Sequence, residues 1–258
     1  NIEDLSLQDL LNADTTVASA KKTKLRETPG VVTVITRDEI VASGARDLTV
    51  VLALVPGFSF GVDVQGVIDV GFRGNWGHEG KVLLLYDGQE MNETLYSTLQ
   101  LGNHYPIANI DRIEIIRGPG SALYGGYAEL AVINIINRKG GDVGGIDVWG
   151  EYGQQRLDYG QRNIGATYGQ RFTGPLEGLQ LSIDGMIGEG NRTDRTYRGD
   201  VDGKRVSFAH QAAQDPGFLD VGASYRGLDA RFILDDFRTT SIDAYDELLP
   251  TASNDNFL

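Results

Sequence analysis

Ile110-Asp111-Arg112-Ile113-Glu114-Ile115-Ile116-Arg117-Gly118-Pro119-Gly120-Ser121-Ala122-Leu123-Tyr124-Gly125 is the stretch from which the fold can be read. Residues 112–117 have the composition of a strand and end on a charged arginine. Gly118-Pro119-Gly120 forces a sharp turn without side-chain bulk, and Ser121 is placed to cap the next helical turn. A second strand, Ala131-Val132-Ile133-Asn134-Ile135-Ile136, follows a few residues later. A phosphate-cradling loop would end Gly-Lys-Ser/Thr, and Leu123-Tyr124-Gly125 does not.

Upstream the pattern is mixed α/β. Val31 to Ile35 is a β-branched strand, and Thr36-Arg37-Asp38-Glu39 is a capping box that opens a short helix to about Ser43, stopped by Gly44. Asp47 opens another, with Leu48, Val51, Leu52 and Val55 at helical spacing before Pro56-Gly57. Strands are expected at Val67 to Phe72, Lys81 to Tyr86, Arg112 to Arg117 and Val132 to Asn137, with a tight turn at Asp87-Gly88. Ser6 to Leu11 reads as a helix, and residues 13–28 as a polar, mobile segment.

Downstream of about residue 140 the period changes to two. Ile146 to Tyr152, Leu179 to Ile187, Leu219 to Tyr225 and Leu228 to Leu234 alternate apolar with polar, and Tyr159 to Phe172 is a weaker strand rich in Gly and Gln. Such runs suit a membrane barrel with lipid on one side and water on the other, or a soluble β-sandwich with one core face. The residues of this half leave both open.

Composition narrows the function classes. The chain has 258 residues, no cysteine and a net charge of −13. Disulfide frameworks, thiolate zinc sites and cysteine nucleophiles are excluded, and the acidity argues against nucleic acid. The longest apolar runs are about six residues, far short of a spanning helix. Gly66, Gly71, Gly74, Gly77 and Gly80 lack the spacing of a dinucleotide loop. His78, His104 and His210 show no metal-ligand pattern, and no catalytic motif accompanies the Ser, His and Asp residues. No cofactor is called for, and the chain does not read as an enzyme. Residue 1 is Asn and no signal peptide is visible, so a mature or trimmed N-terminus is expected.

The quoted stretch and its continuation closely resemble the plug domain of TonB-dependent outer-membrane transporters. Pro29 with Val31 to Ile35, Leu54-Val55-Pro56-Gly57, Phe72-Arg73-Gly74 and Val82-Leu83-Leu84-Leu85-Tyr86-Asp87-Gly88 stand in that family's order, over roughly residues 25–139. Glu129-Leu130-Ala131 departs from it, because a Gly-Gly pair usually precedes the Val-Ile-Asn-Ile strand. The resemblance implies an α+β plug (residues 29–139) followed by antiparallel transmembrane β-barrel strands (residues 140–258), and it settles the open choice in favour of the barrel.

It also implies active uptake across the bacterial outer membrane of a ferric siderophore, haem, cobalamin or oligosaccharide. The plug would face the periplasm and be moved by TonB and its inner-membrane complex. Residues 1–28 would hold the TonB box, for which Thr15, Thr16, Val17, Ala18 and Ser19 are the best stretch, being small and β-capable. Arg73 and Arg117 correspond to arginines that lock the plug to barrel glutamates. Two loops, Phe60 to Ile68 and Asn92 to His104, would form the ligand-facing apices, with Asp63, Gln65, Tyr96, Gln100, Asn103 and His104 as binding residues. The alternatives are a receptor that binds or signals without transport, and a soluble acidic enzyme.

The length then acquires a meaning. After residue 139 there is room for perhaps five to seven strands of about ten residues. Plugged transporters have about 22 strands, so the chain is expected to be an N-terminal portion with a partial barrel.

Overall fold

The computed structural model describes residues 31–63, 66–77, 79–118, 124, 128–198, 203 and 205–241, and the backbone at residues 14–15, 23–24 and 253–257. The helix expected at Ser6 to Leu11 and the cap expected from Ser121 lie outside the described residues. Contacts divide the chain into two units. One comprises residues 1–61, 69–100 and 110–137; the other comprises residues 62–68, 101–109 and 138–258.

In the first unit, β1 (Asp14–Thr15) and β2 (Thr23–Lys24) form a small antiparallel pair. β3 (Val32–Thr36) leads into α1 (Arg37–Ser43) through the expected capping box: Thr36 N donates to Glu39 Oε2 at 2.7 Å and Glu39 N to Thr36 Oγ1 at 3.4 Å. Gly44 ends α1 in the left-handed region. α2 (Leu48–Leu52) is capped by Asp47, whose Oδ1 accepts from Val50 N at 3.0 Å. It ends earlier than the apolar spacing out to Val55 implies, and residues 53–57 form turns.

β4 (Phe58–Val62), β5 (Ile68–Phe72) and β6 (Asn75–Trp76) make a three-stranded sheet in that order. β4 shortens the first expected apical loop to residues 63–67. Arg73 and Gly74, both with positive φ, form the two-residue turn between β5 and β6.

The larger sheet contains β7 (Val82–Tyr86), β8 (Gln89–Glu90), β9 (Ile110–Arg117) and β10 (Ala131–Asn137), in the order β3-β9-β10-β7-β8. β10 runs parallel to β7 and antiparallel to β9. β7 and β10 are buried almost throughout, which is why they read as unbroken apolar runs. Leu83, Leu85, Ile116, Ala128 and Val132 pack into one cluster. Asp87 and Gly88 have φ of 49° and 87°, the geometry of a type I′ hairpin turn. The Asp87 carboxylate also accepts from Asn137 N at 3.0 Å and Asn137 Nδ2 at 2.8 Å, tying the β7–β8 turn to the end of β10.

The second unit begins with the short helix α3 (Gly140–Val143). It continues as a meander of β11 (Gly145–Gln154), β12 (Tyr159–Arg171), β13 (Gln180–Gly190), β16 (Gln214–Tyr225), β17 (Leu228–Ser241) and β18 (Ser253–Phe257). These pair antiparallel in sequence order into a six-stranded sheet whose edges are β11 and β18. A separate hairpin, β14 (Thr196–Arg198) with β15 (Arg205–Ser207), sits in the connection from β13 to β16.

The faces of this sheet are the reverse of a soluble protein's. Ile146, Val148, Tyr152, Ile164, Ile187 and Phe232 are exposed, Ile146 by 70% and Ile187 by 66%. On the alternate positions Gln161, Asn163, Thr167, Asp184, Gln214 and Asp220 are buried, Asp184 to 2%. A sandwich would bury the apolar set. A barrel wall presents it to lipid and keeps polar groups on the lumen side.

Candidate functional site

The buried polar face of the second unit receives one of its own loops, residues 101–109. The loop enters through a bridge from Leu101 to Ile68 and turns at Gly102, whose φ of 93° favours glycine. A side chain there would meet Gln214: a Cβ would lie 2.7 Å from its Oε1.

Asn103 follows and is nearly fully buried. Its amide exchanges hydrogen bonds with that of Asn163 on β12, at 3.2 and 2.7 Å. It also donates to Gln214 O on β16 at 3.0 Å. Burying an amide this deeply is tolerable only because its polar atoms find partners. Gly190 on β13 leaves room for the side chain, since a Cβ there would sit 2.7 Å from Asn103 Nδ2.

His104 makes the other anchor. Its Nε2 lies 2.8 Å from Asp235 Oδ1 on β17. Its ring stacks between Tyr105 and Phe237, both with centroids 4.0 Å away, and Tyr105 meets Phe218 edge-on. Burial, and then the Asp235 carboxylate, push the Tyr105 phenol well above its usual range, so it stays a neutral hydroxyl. Beyond the loop's reach the same face carries an ion pair, Arg231 Nε to Asp220 Oδ1 at 3.0 Å, and Thr167 Oγ1 donates to Asp184.

The residues expected at the apices therefore divide. Asn103 and His104 come together on the strand wall. Asp63, in the same unit, accepts from Val67 N at 3.1 Å and shapes its own turn. Tyr96, exposed, and Gln100, buried, belong to the first unit. Gln65 lies outside the described residues, as do Thr16, Val17, Ala18 and Ser19 of the expected box; Thr15 lies in β1. Arg73 is exposed in its hairpin turn, with its guanidinium 5.0 Å from the centre of the Phe72 ring. Arg117 ends β9, and its Nε is buried without a hydrogen-bond partner among the described residues. Glu114, also on β9, is fully buried and accepts from Arg112 Nε at 2.9 Å.

Sequence reasoning missed Asn163, Gln214, Asp235 and Phe237. The one signal for them was their place on the polar phase of the alternating strands. Among the described residues no group of His, Asp and Glu could hold a metal ion, and no helix is long and apolar enough to cross a membrane.

Comparison with known proteins agrees with this geometry. The family model for the TonB-dependent Receptor Plug Domain matches residues 24–130. The chain is 35% identical over 144 residues to the vitamin B12 transporter BtuB of Vibrio vulnificus (strain CMCP6), covering 51% of this chain and 22% of that protein. It is 28% identical over 206 residues to the ferric enterobactin receptor of Pseudomonas aeruginosa, covering 71% of this chain and 26% of that protein. It thus spans about a quarter of the length of these curated relatives. Its fold is similar to the solved ferripyoverdine receptor of the Pseudomonas aeruginosa outer membrane, with a TM-score of 0.59 at 15% identity, covering 88% of this chain and 28% of that one. This chain carries the plug domain of the TonB-dependent receptors, followed by antiparallel strands of the barrel type.

Proposed function

We propose that this chain supplies the plug and first barrel strands of a receptor for TonB-dependent uptake of a scarce nutrient across a bacterial outer membrane. The observation that carries this reading is the reversed polarity of the second unit, with exposed Ile146, Ile164 and Ile187 against buried Asn163, Asp184 and Asp220. Only a wall between lipid and a polar lumen makes that arrangement favourable. The relatives named for vitamin B12 and ferric enterobactin favour a cobalamin or an iron chelate as substrate.

Connection lengths suggest the orientation. Residues 172–179 and 226–227 make the turns at one end of the sheet, and residues 155–158 and 191–213 join strands at the other. Short turns face the periplasm in such barrels and long loops face outward. In this reading Asp63, Gln65, Tyr96, Gln100, Asn103 and His104 face arriving substrate. Arg73 and Arg117 hold the plug, and residues 15–19 are the handle. The outer membrane has no ATP, so energy arrives by pulling, and a segment that adds as a strand to a partner sheet suits that task.

The test uses the full-length receptor in cells. Deleting residues 15–19 should leave substrate binding intact and reduce uptake to the level of cells lacking TonB. Uptake that survives the deletion rejects this handle. Uptake that survives both loss of TonB and collapse of the proton gradient rejects the transport reading.

A further inference from the structure

At the end of the sheet where residues 155–158 and 191–213 join the strands, buried acids knit the two connections together. Asp158 accepts from Asn191 Nδ2 at 2.9 Å and from His210 N at 3.1 Å, and its Oδ2 lies 2.8 Å from His210 Nδ1. Asp194 accepts from Leu157 N, and Gln155 Nε2 donates to Asn191 O at 2.7 Å. Asp158 and Asp194 are both buried, so their charge is engaged by donors within the loops.

The arginines of these connections are placed differently. Arg156, Arg192 and Arg195 line a cleft of about 730 Å³, together with Thr193, Thr196 and Leu157. That volume is in the range of small-molecule sites, about 300–1,000 Å³. The only carboxylate on its wall is Asp194, which already serves the Leu157 amide. Three guanidiniums gathered around one cavity repel one another, and the chain has 36 acidic residues with which to neutralise them. Guanidinium forks match the paired oxygens of carboxylate, catecholate and phosphate, and the two threonine hydroxyls add donors.

We propose that this cleft binds a multiply charged oxyanion. As a site for arriving substrate it rests on the transport reading, which turns these connections outward and would make the substrate an anionic iron chelate. As an oxyanion site it stands on the cleft itself. The same chemistry could come from a dissolved chelate or from the phosphates of a lipid headgroup beside the barrel.

The experiment compares the purified full-length receptor with its R156Q/R192Q/R195Q and R156K/R192K/R195K variants, each first shown to keep heat-modifiable gel mobility. Binding is measured with ferric tris-catecholate, with a neutral ferric trihydroxamate and with lipid A micelles, at low and high salt. The glutamine variant should bind ferric tris-catecholate about tenfold more weakly or worse and lose most of its salt dependence, while the lysine variant recovers much of the affinity. The neutral chelate should be unaffected. If lipid A binding falls and chelate binding does not, the oxyanion site stands and its ligand is the headgroup. Equal binding of both anionic probes to wild type and glutamine variant overturns the proposal. No step of this assay needs TonB, so a receptor that binds the anion but fails to transport it refutes the transport reading alone.

Discussion

His104 and Asp235 are 131 positions apart in sequence, yet His104 Nε2 lies 2.8 Å from Asp235 Oδ1, and Phe237, two residues further along β17, stacks on the same imidazole. One histidine thus uses its edge and its face against a single strand. His104→Ala removes both and leaves a gap against Tyr105. Two ring contacts and a hydrogen bond together should cost roughly 2–4 kcal/mol of local stability. His104→Phe keeps the stacking and loses only the polar contact, so it should cost less. Hydrogen exchange of amides 101–109 in the full-length protein measures both, and equal protection in wild type and His104→Ala would refute the anchor.

Ile164 and Ile187 face each other across β12 and β13 on the exposed side of the sheet. If that side meets lipid, Ile164→Arg should lower folding stability in bilayers by about 2–4 kcal/mol. On a soluble protein the same exposed substitution would stay within about ±0.5 kcal/mol. Urea titration of folding into lipid vesicles distinguishes the two.

Asp47 caps α2 while partly buried. Burial raises its carboxyl pKa above the ordinary value, against the Val50 and Thr49 hydrogen bonds that lower it. A raised folded-state value means the unfolded chain releases the proton first. Stability therefore falls as pH climbs from the unfolded value through the folded one, and is level above it. Asp47→Asn should abolish that slope and keep the cap, whereas Asp47→Ala should lose about 1 kcal/mol at neutral pH. Opening free energies of the α2 amides against pH check both statements.

Asp87 has φ of 49° and its carboxylate holds Asn137 N and Nδ2. Asp87→Ala loses two charge-assisted bonds and forces alanine into the left-handed region, for about 2–4 kcal/mol. Asp87→Asn tolerates that backbone and retains an acceptor, so it should cost under about 1.5 kcal/mol. The contrast should appear in protease resistance of the β7–β10 region.

Local chemistry was legible in the sequence. The Thr36–Glu39 box, the Asp47 cap and the Asp87-Gly88 turn are decided within four residues, and all form as expected. The barrel strands were legible as strands, since alternation fixes the period. Alternation did not say which face is covered, because an apolar phase turned to lipid and one turned to a core look alike. Coverage is a long-range fact: Asn103 meets Asn163 sixty positions away and Gln214 lies 111 away. β4 was missed for a similar reason, since Phe58 to Val62 is a strand by virtue of its place beside β5.

The alternation in β11 to β17 has a consequence for biogenesis. A chain bound for the outer membrane must first cross the inner one, where about twenty consecutive apolar residues would arrest it. Interleaving each apolar residue with a polar one keeps every stretch of these strands below that threshold. The oily surface comes into being only when strands pair and the phases separate, so the polypeptide can travel as a hydrophilic thread and turn lipophilic at its destination.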